Sequence, residues 1–226
     1  MIKTALITGA SGGLGSCIAK VFAKNGIRVF LTGRRSSNLK KLSLEIGDMC
    51  EGYLVADLTN ASEIRKLVEY TMPNILVNCA GLFPVSSLEE TSLKDFDECF
   101  SVNVRAPFLL TKYIIPHMRN LGWGRIINIG SSSSYGGFPN TSTYCSSKHA
   151  LLGLSRSMFH ELKNDNIRTY CISPGSIKTD MGKNVVGQKF DTFMEPDEIA
   201  RFILEIIQYN GNMISEEVRL NRMFVQ

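Results

Sequence analysis

Tyr144 and Lys148 stand four residues apart, and side chains at that spacing share one face of a helix. A phenol beside an ammonium suits proton transfer. Free phenol titrates near pH ~10, too high for acid/base work at neutrality, and a neighbouring positive charge favours its ionised form. With seven tyrosines and 13 lysines in 226 positions, one such pair arises by chance roughly 0.4 times, so it needs support from other residues. Ser131 lies 13 residues before Tyr144, directly after an apolar run that reads as a strand. A hydroxyl at that edge could donate to an oxygen gaining negative charge. Ser132, Ser133 and Ser134 follow it, so the spacing alone leaves the choice of serine open.

A second group of residues suits a phosphate-bearing ligand. Thr8-Gly9-Ala10-Ser11-Gly12-Gly13-Leu14-Gly15 follows an apolar run and opens the apolar-periodic stretch Ile18, Ala19, Phe22 and Ala23. Glycines at a strand-to-helix turn let backbone N–H groups approach a pyrophosphate, and the helix start adds partial positive charge. About 20 residues further on, dinucleotide folds place the residue that faces the adenosine ribose. Here Gly33 offers no carboxylate, whereas Arg34, with Arg35 beside it, could pair with a 2′-phosphate. This favours NADP over NAD. The plainer reading makes Arg34, Arg35, Lys40 and Lys41 a solvated basic helix start.

The elements that must position these residues alternate. Runs rich in β-branched residues predict strands over Thr4–Thr8, Arg28–Thr32, Gly52–Val55, Ile75–Asn78, Arg125–Ile129, Arg168–Ile172 and Val218–Leu220. Helical periods predict helices over Gly13–Lys24, Asn38–Ile46, Ala61–Tyr70, Leu93–Met118 with a break, Thr143–Lys163 and Pro196–Tyr209. Asn60 and Pro196 supply helix starts. Such alternation implies an α/β fold, a Rossmann-type doubly wound parallel sheet of about seven strands with helices on both faces. Ligands of such sheets bind outside the carboxyl ends of the strands, where every motif above falls.

Composition agrees. A 226-residue chain with 44% hydrophobic and 20% charged residues suits one domain, expected over residues 1–226. The net charge of +4 comes from 25 basic and 21 acidic residues dispersed along the chain, which argues against nucleic acid as a partner. Six cysteines at least 20 residues apart, with no C-x-x-C pair, and three histidines without mutual ligand spacing predict a reduced cytoplasmic protein without a metal site. Gly9 to Gly15 interrupt the first apolar run before a signal or membrane segment could form.

The glycine turn, the Tyr-x-x-x-Lys pair and the serine upstream together resemble the short-chain dehydrogenase/reductase family, whose turn reads T-G-x-x-x-G-x-G. The resemblance runs from Lys3 to about Ala200. It selects Ser131 by its register to Tyr144, although Gly130 replaces the first serine of the usual pair. It adds Asn103, in Ser101-Val102-Asn103-Val104, as the family's helix-breaking asparagine that holds a water linked to the lysine. It implies a catalytic set of Asn103, Ser131, Tyr144 and Lys148. The implied cofactor contacts are Gly9, Ser11, Gly13, Leu14, Gly15 and Arg34, then Asp57 and Leu58 at the adenine. Asn78, Ala80 and Gly81 follow in Asn78-Cys79-Ala80-Gly81, where Cys79 departs from the family's N-N-A-G. Pro174, Gly175, Ile177 and Thr179 would border the nicotinamide, with Tyr144 and Lys148 also touching the cofactor.

The activity so implied is NADP-dependent hydride transfer between nicotinamide and a carbonyl or alcohol carbon of a small molecule, with 3-oxoacyl reduction the first candidate. Residues 181–194, with Val185, Val186, Phe190 and Phe193, would form a substrate lid. Relatives pair through two long helices, here around Phe96–Met118 and Thr143–Lys163, so a homodimer or homotetramer away from membranes is expected. A non-catalytic NADP-binding redox sensor is one rival. A nucleotide-sugar epimerase or dehydratase is another, but it would carry a T-G-x-x-G-x-x-G turn and a longer C-terminal region. The chain's end, Val218-Arg219-Leu220-Asn221-Arg222, lacks the family's glycine-rich tail.

Overall fold

The apolar runs along the chain form the strands of one sheet. The structure, a computed structural model, describes residues 2–224, so the expected domain limits at 1 and 226 lie outside the described residues. Seven strands, β1 (Thr4–Ile7), β2 (Arg28–Gly33), β3 (Cys50–Val55), β4 (Ile75–Asn78), β5 (Gly124–Ile129), β6 (Ile167–Pro174) and β7 (Glu217–Leu220), lie in the order β3-β2-β1-β4-β5-β6-β7. All the pairings are parallel. The order reverses between β1 and β4, and this switch point opens a crevice at their carboxyl ends.

Alternation along the strands divides the core in two. Ala5, Ile7, Ile75, Val77, Ile127 and Ile129 pack with α1 (Gly13–Lys24), α2 (Ser36–Ile46) and α7 (Pro196–Gln208). Leu6, Leu76 and Ile126 pack on the other face with α3 (Ala61–Thr71), α5 (Ala106–Leu121) and α6 (Ser142–Leu162). Two helix starts follow their expected chemistry. The Asn60 side chain accepts from Ser62 N at 3.0 Å, and Pro196 occupies the first turn of α7.

The helix expected over Leu93–Met118 is two helices. α4 (Leu93–Phe100) passes through a widened π turn, Ser101–Arg105, into α5. Pro116 stands inside α5 without ending it, so the break falls at the asparagine and not at the proline. Strand β6 runs on to Pro174, one of the residues expected in the turn.

Arg125, at the amino end of β5, is fully buried. Its guanidinium donates to Asn210 Oδ1 (2.7 Å), Gly124 O (2.8 Å) and Ile207 O (3.3 Å), and it stacks 4.3 Å from the Trp123 ring centroid. It thereby ties α7 to the central sheet on the side away from the crevice. Burial without a carboxylate lowers its pKa to about 10.

Candidate active site

The first wall of the crevice is the turn after β1. Gly9 adopts φ +67°, and a Cβ there would stand 2.9 Å from Ala80 Cα and N; one on Gly15 would stand 2.5 Å from Gly9 O. Only glycine allows these backbones to approach so closely. Thr8 fastens the turn to the strand beyond the switch point, since its Oγ1 accepts from Cys79 N and Ala80 N at 3.0 Å and donates to Val77 O at 3.2 Å. Helix α1 then starts at Gly13 with no side-chain cap and no acidic residue in its first turn. Its first N–H groups are left for an anion.

Strand β2 ends without a carboxylate. A Cβ on Gly33 would lie 2.6 Å from Ser11 Oγ, a contact that the Ser11 side chain would have to turn to relieve. The two arginines that follow have different tasks. Arg35 Nη2 donates to Ser11 O at 2.8 Å and braces the glycine turn, while Arg34 extends over the crevice, 3.6 Å from Glu98 Oε1. Asp57 accepts from Thr59 N (2.9 Å) and Thr59 Oγ1 (2.8 Å), bonds that hold its carboxyl below the usual range, the backbone bond most.

The second wall is helix α6 with the π turn clamped against it. Asn103 Oδ1 accepts from Leu82 N at 2.8 Å, while its Nδ2 faces Leu82 O and Ser147 Oγ, both at 3.0 Å, and Cys99 Sγ at 3.3 Å. Ser147 Oγ in turn donates to Tyr144 O at 2.7 Å. The π turn is thus fixed to the helix turn that carries Tyr144 and Lys148. Lys148 is buried, with Nζ 2.7 Å from Ile129 O and 5.6 Å from the Tyr144 ring centroid. The Tyr144 ring, also buried, meets Phe83 edge to face at 4.7 Å.

Ser131 caps a short turn, Ser132–Ser134. Its Oγ accepts from Ser133 N at 3.1 Å, which leaves its own proton to donate, whereas Ser134 Oγ is buried and occupied by Ser131 N at 3.2 Å. A Cβ on Gly130 would press on the Ser173 hydroxyl, which would have to turn to admit it.

These walls enclose a cavity of about 880 Å³ that runs from Arg34 to Tyr144 and on to the segment after β6. Its glycine turn, uncapped helix start, cation at one end and Tyr-Lys pair at the other fit an extended dinucleotide. Comparison with known proteins decides the family. A sequence profile described as short chain dehydrogenase matches residues 3–189. The chain belongs to the short-chain dehydrogenase/reductase family. It is similar to the 3-oxoacyl-[acyl-carrier-protein] reductase FabG of Rickettsia bellii, 34% identical over 225 residues, covering 94% of this chain and 92% of that protein. Among solved structures it resembles a 3-ketoacyl-(acyl-carrier-protein) reductase from Brucella melitensis complexed with NADH. That likeness has TM-score 0.89 and 28% identity and covers 97% of this chain and 96% of the other. It also resembles an alcohol dehydrogenase from Thermococcus sibiricus complexed with 5-hydroxy-NADP, with TM-score 0.87, 28% identity and coverage of 100% and 98%.

Within this family framework the expected cofactor residues line the cavity, with one exception. Asn78 does not. Its Nδ2 donates to Asn128 Oδ1 at 2.7 Å, and Asn128 continues to Ser155 Oγ at 2.9 Å, so Asn78 belongs to a buried chain that couples β4 and β5 to α6. Of the catalytic set, Ser131, Tyr144 and Lys148 line the cavity, and Asn103 stands behind them. Sequence reasoning missed Phe83, Glu98, Phe138 and Asn140, which also line it, and it covered Gln188 only as part of the 181–194 segment. Phe83 and Phe138 lie just beyond the carboxyl ends of β4 and β5, a position that could have marked them.

Cys79 lines the cavity too, and burial pushes its thiol up to about 12, so it remains a neutral thiol.

Proposed function

We propose that the chain reduces the carbonyl of an uncharged or thioester-bearing ketone with NADPH, Tyr144 serving as the proton donor. The observation that carries this reading is the convergence of Tyr144, Lys148 and the free proton of Ser131 on one cavity wall. When bound, the nicotinamide supplies or takes up the hydride. Tyr144 gives its hydroxyl proton to the carbonyl oxygen, or removes it in the reverse direction. Ser131 donates to the same oxygen as charge builds there. Lys148, anchored on Ile129 O, keeps two further N–H donors for the phenol side of the site and the ribose. Asn103 acts behind them by holding the Leu82 backbone and the Ser147 hydroxyl.

The cofactor residues divide along the cavity. The N–H groups of the turn from Gly9 to Gly15, with Ser11 and Leu14, would hold the pyrophosphate. Arg34 would hold a 2′-phosphate and favour NADP over NAD. Asp57 and Leu58 would border the adenine, Ala80 and Gly81 the ribose, and Pro174, Gly175, Ile177 and Thr179 the carboxamide end. The intact catalytic set favours an enzyme over a sensor.

Residues 181–194 would cover the substrate. Met181, Val185 and Val186, with Phe83 and Phe138, put apolar surface on the cavity, which suits an acyl chain and supports 3-oxoacyl reduction. Exposed Leu93, Phe96 and Phe108 on α4 and α5 suit pairing of two copies. Six unpaired cysteines suit the reducing cytoplasm, and no helix among the described residues is long and apolar enough to cross a membrane. The test is NADPH and NADH oxidation against plain ketones, 3-oxoacyl thioesters and quinones. Turnover of a 3-oxoacyl thioester with NADPH preferred is expected; tight NADPH binding with no turnover across the panel would favour the sensor.

A further inference from the structure

The segment between β6 and α7 is closed at its base, where Met194 N donates to Ser176 O at 3.0 Å and Lys178 N donates to Met194 O at 2.9 Å. The tail after β7 crosses this segment. Arg222 Nη1 donates to Thr192 Oγ1 and Arg222 Nη2 to Gln188 Oε1, each at 2.8 Å, and the guanidinium lies 5.3 Å from the Phe193 ring centroid. Gln188 Oε1 takes a second bond, from Ser176 Oγ, at 2.7 Å.

These two bonds fix which way the amide points. A guanidinium has only donors, so the oxygen of Gln188 must face Arg222, and its NH2 group must face elsewhere. That NH2 group meets no acceptor among the described residues. Gln188, an exposed side chain, lines the same cavity as Tyr144 and Ser131, together with Asn184, Val185 and Val186; Asp180, paired with Lys183, is the acidic residue of this segment that also lines it. A neutral donor held in place there complements a neutral acceptor oxygen. The positive charge of Arg222 on the amide oxygen also polarises the N–H bonds toward donation.

We propose that Gln188 Nε2 is a substrate-recognition donor that binds a second, non-reacting oxygen of the substrate, the carbonyl of an ester, thioester or amide. Arg222 and Ser176 are the positioning residues that orient it. The inference rests on the reading of the cavity as a carbonyl-reducing site.

The test compares ethyl 3-oxobutanoate with 2-hexanone, which has a similar length but no second carbonyl. In Gln188→Met and Gln188→Glu, kcat/KM for the keto ester is expected to fall about tenfold or more through KM, while 2-hexanone changes less than about threefold. Gln188→Glu should be the weaker of the two on the ester, because its carboxylate repels an acceptor oxygen. Equal losses on both substrates, or no loss on the ester, would overturn the proposal. Binding of the ester to the NADPH complex of Tyr144→Phe, with and without Gln188→Met, separates recognition from catalysis. About tenfold weaker binding supports the donor role even if turnover fails, and unchanged binding overturns it even if turnover succeeds.

Discussion

Ser131 and Arg34 show how the residue scale sets the chemistry. The oxygen of Ser131 accepts from Ser133 N, and its hydroxyl lines the cavity with its proton available to donate. Ser131→Ala should therefore lower kcat by roughly 10²-fold with little change in KM, as the loss of a donor felt in the transition state does; steady-state kinetics would show it, and a rise in KM alone would mean a binding role. Arg34 pairs with Glu98 across the cavity at 3.6 Å and stays largely exposed. Arg34→Asp should shift the NADPH-to-NADH ratio of kcat/KM toward NADH by about tenfold or more; an unchanged ratio would count against the 2′-phosphate contact. Tyr144 and Lys148 stood out in the sequence by residue type and spacing, while the choice of Ser131 among four successive serines needed the family resemblance. Gln188 did not stand out, since its orientation depends on Arg222, 34 residues away in the chain.

At the scale of elements, the glycine turn and the π turn hold the two walls of the site. Gly9→Ala would force a Cβ against the Ala80 backbone at a positive φ. It should cost about 1–3 kcal/mol in urea unfolding and weaken NADPH binding in the same variant; unaltered stability would show that the turn can move. The loop after β3 carries a pH dependence. The Asp57 carboxyl is held below its usual range by Thr59, so its contribution is present above pH ~4 and is lost as pH falls through the folded value. Asp57→Asn should flatten the acid limb of stability against pH in that window, and a limb of unchanged slope would discount the bond. Strands and helix starts were legible because alternation and capping are local. The position of the break between α4 and α5 was legible only through the family resemblance, which named Asn103; its π form was not, because Asn103 holds that shape through Leu82 and Ser147 on other elements, while Pro116, the stronger local breaker, is accommodated.

For the whole molecule, the crevice lies at the carboxyl ends of the parallel strands, lined by the turns that follow them and by α6, while Arg125 secures the opposite side. The switch point between β1 and β4 was implicit in the βαβ alternation. The buried chain from Asn78 to Asn128 was not, because which strands become neighbours is decided by the order of the sheet. Exposed apolar side chains on α4 and α5 predict that light scattering will give a multiple of the 25.1 kDa chain mass; Phe108→Glu should return it toward the monomer, and a monomeric wild type would refute pairing there. The central claim is that this fold delivers a proton from Tyr144 to a carbonyl oxygen. Its most direct test is NADPH-dependent turnover of a 3-oxoacyl thioester by Tyr144→Phe, with NADPH binding measured on the same sample. Loss of kcat by at least about 10²-fold with cofactor binding retained is the predicted result; full activity without the hydroxyl would contradict the account.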